Sequence, residues 1–226
     1  MNVKDEPIEY VRGFNEFLGC KIDLSKKPLI PRAETEFWVG RAINNIPTFS
    51  RMSECSVLDM FAGSGCIGIA ILKNIKNSKV VFADSDAECI KQIKINLKLN
   101  SINKKRYRII RSDIFKNINK KNKYDYIFAN PPYIPTKNKN KVQKSVLNFE
   151  PRKALFGGED GLFYIRKFLG KAKDYLKEGG VIFMEFDPPQ KKEIEKLAKK
   201  EGYNPPTGGC EFQKDQYGKL RWVMLK

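Results

Sequence analysis

Residues 57–68 read Val57-Leu58-Asp59-Met60-Phe61-Ala62-Gly63-Ser64-Gly65-Cys66-Ile67-Gly68. The first four residues form an apolar β-type run, and a helical pattern begins after the glycines. Glycines at such a junction let the backbone turn tightly and approach a nucleotide-like cofactor closely. The stretch therefore predicts a strand, a cofactor-binding loop and a helix, the first unit of a doubly wound α/β fold.

The same alternation of β-type runs and helical segments continues along the chain. It predicts a mostly parallel, seven-stranded sheet that ends in an antiparallel hairpin built from Phe212 and residues 220–225. The other predicted strands are 56–60, 80–83, 107–111, 126–129 and 181–186, and the predicted helices are 67–73, 87–99, 161–176 and 190–200. We expect Glu178-Gly179-Gly180 to stop the helix that begins at residue 161.

Composition limits the classes of partner and site. The 226 residues carry a formal net charge of +17 and include no histidine. Basic runs at 116–123 and 137–144 favour an acidic macromolecule, with RNA or the ribosome as the candidate neighbour, although a solvated surface gives the same pattern. Five scattered cysteines without CxxC spacing predict neither disulfides nor a metal site, and they favour a reducing cytoplasm. No stretch is long and apolar enough to predict a membrane span.

Acidic residues after successive strands indicate which cofactor the loop takes. Asp59 would repel the pyrophosphate of NAD but suits the sulfonium and ammonium groups of S-adenosylmethionine. Asp84 could accept both ribose hydroxyls in either cofactor, and Asp113 could accept the adenine amino group or simply serve as a turn residue. The predicted cofactor-binding residues are Asp59, Phe61, Gly63, Gly65, Asp84, Asp113 and Asn130.

Asn130-Pro131-Pro132-Tyr133 directly follows the apolar run 126–129. Alone, this tetrapeptide is as typical of a strand-ending turn as of a site. The prolines remove two N–H donors and favour an extended backbone, so carbonyl oxygens can face a pocket. Beside a methyl donor, the Asn130 side-chain oxygen and the Pro131 carbonyl would hold a planar NH2 group, with Tyr133 packed on its face. We therefore predict Asn130, Pro131 and Tyr133 as the catalytic residues.

These motifs and several further blocks resemble the release factor glutamine N5-methyltransferase family, whose bacterial-type members are class I S-adenosylmethionine-dependent enzymes. The matching blocks are Pro7-Ile8-Glu9-Tyr10 with Gly13, Leu29-Ile30-Pro31-Arg32-Ala33-Glu34-Thr35-Glu36, residues 59–68, Ser112-Asp113, Asn130-Pro131-Pro132-Tyr133-Ile134, Glu150-Pro151-Arg152-Lys153-Ala154-Leu155, residues 157–162 and residues 215–221. The resemblance implies methylation of the side-chain amide nitrogen of the glutamine in the Gly-Gly-Gln motif of peptide-chain release factors.

The resemblance also implies roles for residues beside the pocket. The substrate-binding residues would be Asn130, Pro131, Pro132, Tyr133, Arg32 and Glu150. Arg32 with Glu34 and Glu36, and Glu150 with Arg152, would organise the loops over the pocket. The chain departs from the family pattern at Asp187, which follows Glu185-Phe186 where the family usually has Glu-x-Gly.

The resemblance bears on domain organisation as well. The family usually carries a separate N-terminal helical domain, whereas here the matching blocks begin within the first ten residues. Residues 8–22 predict a small β-hairpin, and a helix is expected from about Glu34. We therefore expect residues 1–45 to be a hairpin and linker helix that pack on a methyltransferase domain of residues 46–226.

Three other functions fit part of the pattern. An N-methyltransferase that acts on exocyclic amino groups of RNA or DNA bases would use the same acceptors, with Tyr133 stacking on a flipped base. A cofactor-binding partner protein with weak or no activity would explain a missing helical domain. An NAD dehydrogenase fits the glycine loop, but the chain has no obvious acid at a hydride site.

Overall fold

The computed structural model describes residues 6–46, 54–203 and 209–226, and within them a central sheet of seven strands. These strands are β3 (Cys55–Met60), β4 (Ser78–Asp84), β5 (Tyr107–Arg111), β6 (Tyr124–Ala129), β7 (Leu176–Glu185), β8 (Cys210–Lys214) and β9 (Leu220–Leu225). Their spatial order is β5-β4-β3-β6-β7-β9-β8.

The sheet is parallel from β5 to β7, and β9 and β8 extend it antiparallel. The chain order reverses between β3 and β6, so a crevice opens there beyond the carboxyl ends of the strands. The predicted fold class, a doubly wound sheet with a C-terminal antiparallel hairpin, is confirmed.

Helices cover both faces of this sheet. Those of the main fold are α2 (Ala33–Asn45), α3 (Cys66–Asn74), α4 (Ala87–Leu99), α5 (Lys144–Phe149), α6 (Phe163–Ala172) and α7 (Lys191–Lys200). One core packs α2, α3 and α4 on the face that carries Val57 and Phe128, and the other packs α6 and α7 on the face that carries Leu58 and Ile127. Neighbouring strand residues thus enter opposite cores, as the period of two requires.

The chain before the sheet begins with a short helix, α1 (Ile8–Arg12), followed by a hairpin of β1 (Phe14–Phe17) and β2 (Cys20–Asp23). The prediction of a hairpin starting at residue 8 is therefore wrong for the first five residues. Gly13 ends α1 with φ of 81° and donates its N–H to the Glu9 and Tyr10 carbonyls. Glycine adopts this left-handed conformation without a Cβ penalty.

The N-terminal hairpin is attached to α4 by buried amide side chains. Asn96, which is 0% exposed, accepts the Asp23 N–H at 2.8 Å and donates to the Ser64 carbonyl in the glycine loop at 2.9 Å. Gln92 accepts the Lys26 N–H at 2.8 Å. These contacts hold Asp23 and Lys26 against α4. Residues 1–5 of the predicted N-terminal segment, and residues 47–53 beyond its boundary, lie outside the described residues.

Two further predictions differ from the structure in the second half of the chain. The helix predicted to reach residue 176 ends at Ala172, and β7 already begins at Leu176. Because Tyr124 pairs with Leu176 while Tyr126 pairs with Val181, residues 177–180 bulge out of the strand rather than stopping a helix. The helix α5 was not predicted, because its six residues make fewer than two turns and are too few to show a helical period.

Candidate active site

The backbone of the glycine loop leaves β3 with positive φ angles, which few residues other than glycine adopt. Phe61, Gly63 and Gly65 have φ of 60°, 55° and 82°. Asp84, the last residue of β4, holds the loop because its Oδ2 accepts the Gly63 N–H at 2.8 Å. Its Oδ1 accepts the Asp86 N–H at 2.8 Å. The loop is thus fixed to the carboxyl edge of the sheet.

Asp59 lies beneath this loop and not on the surface that a cofactor would touch. Its side chain is 0% exposed, and Oδ2 accepts the Gly68 N–H at 2.9 Å. A Cβ on Gly68 would lie 2.3 Å from the Phe82 ring, so α3 packs directly on β3 and β4. Burial raises the pKa of Asp59 well above its ordinary value. The sequence-based expectation that Asp59 faces the cofactor's charge is not met, because the carboxyl anchors the start of α3 instead.

The first cavity opens above the glycine loop, at the ends of β4, β5 and β6. Of the predicted cofactor-binding residues, its wall includes Phe61, Gly63, Asp84, Asp113 and Asn130. Gly65 does not line the cavity. A Cβ added to it would lie 3.1 Å from the Ile93 side chain, so this position faces α4. Residues 29–32 complete the wall together with Pro151, Lys153 and Ala154.

The first cavity offers acceptors that fit an adenosyl group. Each carboxyl oxygen of Asp84 takes one backbone donor and keeps a lone pair for a ribose hydroxyl. Burial raises the pKa of Asp84. Asp113 is exposed just beyond β5, where it could accept from a base amino group, and the apolar Ile67 and Ile114 side chains complete a wall for the base. This set of groups fits S-adenosylmethionine.

An ion pair that was not predicted from sequence lies at the mouth of this cavity. Lys153 Nζ is 2.6 Å from Asp86 Oδ2, and both side chains line the wall. Asp86 is also the N-cap of α4, since its Oδ1 accepts the Glu88 N–H at 3.0 Å. Nothing in the separate sequence positions of Lys153 and Asp86 indicates that they meet.

Asn130 connects the first cavity to a second one. We call Asn130-Pro131-Pro132-Tyr133 the acceptor loop; it follows the end of β6. The second cavity is lined by Pro131 and Tyr133 of this loop and by residues of the 3-10 turn and helix that follow it, including Lys141 and Val146. The residues that line both cavities are Leu29, Arg32, Asn130 and Ala154.

A buried carboxyl lies behind the acceptor loop. Glu185 Oε2 accepts hydrogen bonds from Thr35 Oγ1 at 2.7 Å and Trp38 Nε1 at 2.6 Å, and Oε1 accepts from the Tyr133 hydroxyl at 2.9 Å. Asn130 Nδ2 donates to Thr35 Oγ1 at 3.4 Å. Burial raises the pKa of Glu185 despite these three donors. Neither Glu185 nor Thr35 was predicted as a site residue, although both lie in stretches of sequence compared with the family.

The backbone of the acceptor loop is clamped by residues 155–161. Ile134 N–H donates to the Leu155 carbonyl at 2.9 Å, and Gly157 N–H donates to the Ile134 carbonyl at 3.0 Å. A Cβ on Gly157 would lie 2.4 Å from the Pro132 oxygen, and one on Gly161 would lie 2.2 Å from the Tyr133 oxygen. Only glycine permits this approach.

Arg32 and Glu150 pair with each other rather than with the neighbours that the resemblance implied. Arg32 donates to Glu150 Oε1 at 2.5 Å, and Glu150 Oε2 accepts the Ile30 N–H at 3.1 Å. Glu36 instead accepts the Leu18 N–H at 2.7 Å. The pair ties residues 29–32, of which Leu29 and Arg32 line both cavities, to the segment that follows α5.

The described residues contain neither a candidate metal cluster nor a helix suited to cross a membrane. Within residues 6–46, 54–203 and 209–226, no group of three or more His, Cys, Asp or Glu side chains could hold a metal ion. In the same part of the chain, no helix has the length and apolar character needed to cross a membrane.

The chain is similar to known methyltransferases. A family model described as the methyltransferase small domain matches residues 45–155. The release factor glutamine methyltransferase of Thermodesulfovibrio yellowstonii is 36% identical over 224 residues, which are 99% of this chain and 77% of that protein. The release factor glutamine methyltransferase of Streptococcus pneumoniae is 34% identical over 97% of this chain and 75% of its own length.

Solved structures show the same fold. The catalytic domain of hMettl16, in complex with the MAT2A 3'UTR hairpin 6, superposes with a TM-score of 0.68. The superposition covers 92% of this chain and 75% of that one, at 14% identity. At this identity the likeness concerns the class I methyltransferase architecture alone.

Proposed function

Since this chain belongs to the release factor glutamine methyltransferase family, we propose that it methylates the glutamine of the Gly-Gly-Gln motif in peptide-chain release factors. It is an S-adenosylmethionine-dependent protein-glutamine N5-methyltransferase. The acceptor atom is the side-chain amide nitrogen.

The position of Asn130 between two cavities carries this proposal. The first cavity has the acceptors that suit an adenosyl group, and the second is bounded by the acceptor loop. An amide that enters the second cavity would meet Asn130 at the point where the two cavities share a wall. A methyl donor in the first cavity and a planar amide in the second would therefore meet at Asn130.

S-adenosylmethionine supplies an electrophilic methyl group when it is bound. Asp84 and Asp113 would hold its adenosyl half through hydroxyl and amino donors, and the backbone at Gly63 lets it approach the loop. Asp59 would act indirectly, because it fixes the helix below the loop.

The task of the acceptor loop is to orient a poor nucleophile. The lone pair of an amide nitrogen is delocalised into its carbonyl, so the amide must be held in line with the methyl group. The Asn130 side-chain oxygen and the Pro131 carbonyl would accept its two N–H groups and stabilise the positive charge that develops on nitrogen. One of those protons is lost after transfer, and no strong base is required.

Other groups would shape the second cavity around the glutamine. Tyr133 and Pro132 would pack against the flat amide. The Arg32–Glu150 pair would keep residues 29–32 in place over the entrance. The five cysteines in the described residues are all unpaired, which supports a cytoplasmic setting.

Transfer of labelled methyl groups tests this function. The protein is incubated with labelled S-adenosylmethionine and, in separate reactions, a release factor, the same factor with its Gly-Gly-Gln glutamine changed to alanine, ribosomal RNA and DNA. We expect label on the intact release factor alone, mapped to that glutamine by mass spectrometry. Label confined to RNA or DNA would instead establish the base-methyltransferase function.

Two substitutions separate the roles of the cavities. Asn130→Ala should lower the rate by about 100-fold or more while cofactor binding, followed by calorimetry, persists. Asp84→Asn should weaken cofactor binding, because the amide cannot accept from both hydroxyls and both backbone donors. Asn44→Ala, which changes an exposed residue of α2, should leave both measurements unchanged.

The basic surface beside the second cavity suggests a setting near RNA or the ribosome. Lys137, Lys139, Lys141 and Lys144 are exposed there, and none of them forms an ion pair within the described residues. Clustered lysines bind phosphates with a strong salt dependence. Retention of ribosomal RNA on a filter should fall steeply between 50 and 200 mM salt, roughly as expected for several phosphate contacts. Changing these four residues to glutamate should abolish it.

A further inference from the structure

Glu185 joins α2 to the acceptor loop from a fully enclosed position. It is the last residue of β7 and is only 2% exposed. Its three donors come from two places, with Thr35 and Trp38 on α2 and Tyr133 on the loop. A buried carboxyl with all these bonds made has a fixed orientation, and so do its partners.

The donors around Glu185 determine the direction of the bonds that reach Asn130. As a carboxylate, Glu185 has acceptor oxygens only, and its Oε2 accepts the indole N–H of Trp38, which can only donate. The Thr35 hydroxyl is 2.7 Å from the same oxygen and gives it its single proton. Thr35 Oγ1 then has only lone pairs to offer to Asn130, which must turn its NH2 toward it at 3.4 Å. The Asn130 carbonyl oxygen is left at the opposite end of the amide.

We infer that Glu185 is a positioning residue which, through Thr35, fixes the side-chain amide of Asn130 with its oxygen available to the incoming substrate. This inference rests on the proposed function, since it concerns the orientation of the acceptor of the glutamine NH2. A rotated Asn130 would present its own NH2 to the NH2 of the substrate, and two donors cannot bond. An asparagine has no intrinsic preference between the two orientations, so a neighbour must impose one.

Glu185 also positions the aromatic wall of the second cavity. The Tyr133 hydroxyl donates to the oxygen that Thr35 and Trp38 leave free. The Tyr133 carbonyl accepts from Gln190 Nε2 at 2.9 Å, so the residue is held at both ends. The Glu185 carboxylate thereby positions both Tyr133 and Asn130 in the substrate site. Its effect on Asn130 passes only through the hydrogen bond with Thr35.

A matched pair of substitutions at Thr35 tests whether this residue passes the orientation set by Glu185 on to Asn130, which we call the relay. Valine keeps the shape of threonine without the hydroxyl, and serine keeps the hydroxyl without the methyl group. If Thr35 only fills space, valine is the better replacement. If it relays orientation, Thr35→Val should lower kcat on a release factor by about 10- to 100-fold, with a much smaller change in the KM for S-adenosylmethionine. Thr35→Ser should recover most of that loss.

Three controls define the result. Thr136→Val, at an exposed threonine, should leave kcat unchanged. Thr35→Val added to Asn130→Ala should cause no further loss, because both act on one interaction. Glu185→Gln retains an oxygen for Thr35 and Trp38 and should be far milder than Glu185→Leu. Equal kcat for Thr35→Val and wild type on a release factor that wild type methylates would overturn the relay.

A readout without turnover keeps this inference separate from the proposed function. In 15N-labelled protein, the side-chain NH2 signals of Asn130, identified by their loss in Asn130→Ala, report whether that group is hydrogen-bonded. We expect slow proton exchange in wild type and Thr35→Ser and fast exchange in Thr35→Val. Fast exchange in all three proteins would show that the Asn130 amide is not held in one orientation, whatever the substrate is. If the release factor is not methylated but exchange in wild type is slow, only the proposed substrate is wrong.

Discussion

The buried carboxyl of Asp59 should make the stability of the protein depend on pH. The side chain is completely enclosed and receives one hydrogen bond, from Gly68, while its Oδ1 has no partner among the described residues. Burial raises its pKa in the folded state. The folded protein then keeps a proton that the unfolded chain has released, so stability falls as pH rises from about 4 through the folded pKa.

Asp59→Asn should remove this dependence. The amide keeps the shape and an oxygen for the Gly68 N–H, and it has no charge to desolvate. Thermal unfolding from pH 4 to 9 should show a flatter stability curve for the variant, with its advantage over wild type growing toward high pH. Asp174→Asn, at an exposed residue, is the control and should track wild type. Parallel curves for wild type and Asp59→Asn would contradict a raised pKa.

Single residues of the site were predictable where strand order alone places them. Asp84 ends one parallel strand, and Asp113 and Asn130 follow two others. The carboxyl ends of such strands share one edge. The role of Glu185 depends on Thr35 and Trp38, which are 150 and 147 positions away in the chain. No pattern within a short stretch of sequence can predict a hydrogen bond between residues so far apart in the chain. Asp59 was misplaced because its side chain points under the loop, a direction that position in sequence does not fix.

At the scale of elements, the clamp on the acceptor loop should depend on two glycines. Gly161 has φ of 79°, and a Cβ there would lie 2.2 Å from the Tyr133 oxygen. Alanine in left-handed backbone costs about 1–2 kcal/mol, and overpacking adds about 1–3 kcal/mol. Gly161→Ala should therefore lower the free energy of unfolding by several kcal/mol and reduce kcat by displacing Tyr133.

Gly157→Ala tests the same clamp without a backbone penalty, because its Cβ would meet the Pro132 oxygen at 2.4 Å. Gly170→Ala is the matched control. Gly170 lies in α6 with nothing within 4 Å of the added Cβ, so alanine should stabilise the helix by about 0.5–1 kcal/mol. Denaturant unfolding measures all three variants. A Gly157→Ala protein as stable and active as Gly170→Ala would show that the loop does not need the clamp.

Elements were predictable from sequence where they are long enough for an apolar period or a β-type run to show. The strands and helices that fill the two cores alternate or repeat with the expected periods. The helices α1 and α5 have only five and six residues, fewer than two turns, so a helical period cannot be recognised in either. The glycines 179–180 indicate a break, but only the register of β6 against β7 decides that the break is a bulge inside a strand.

At the scale of the whole molecule, the two tryptophans of the chain connect its two predicted parts. Trp38 belongs to the segment 1–45 and Trp222 to the segment 46–226. Their rings stack at 6.0 Å between centroids, and both are buried, at 0% and 3% exposure. Trp38 also stacks on Phe128 of β6 at 6.1 Å. The N-terminal segment thus contributes to the core on one face of the sheet, and we expect it to fold together with the sheet.

Fluorescence of a single tryptophan tests this expectation. In Trp222→Phe, emission comes only from Trp38, whose contact with Phe128 and bond to Glu185 remain. Its denaturation midpoint should coincide with that of far-UV circular dichroism, because Trp38 cannot leave the core without exposing Phe128 and depriving Glu185 Oε2 of a donor. If residues 1–45 formed an independent unit, Trp38 emission would shift at a lower denaturant concentration than the helical signal. Such a gap would also mean that Thr35, on the same helix, leaves Asn130 before the sheet unfolds, so methylation would fail before the fold does.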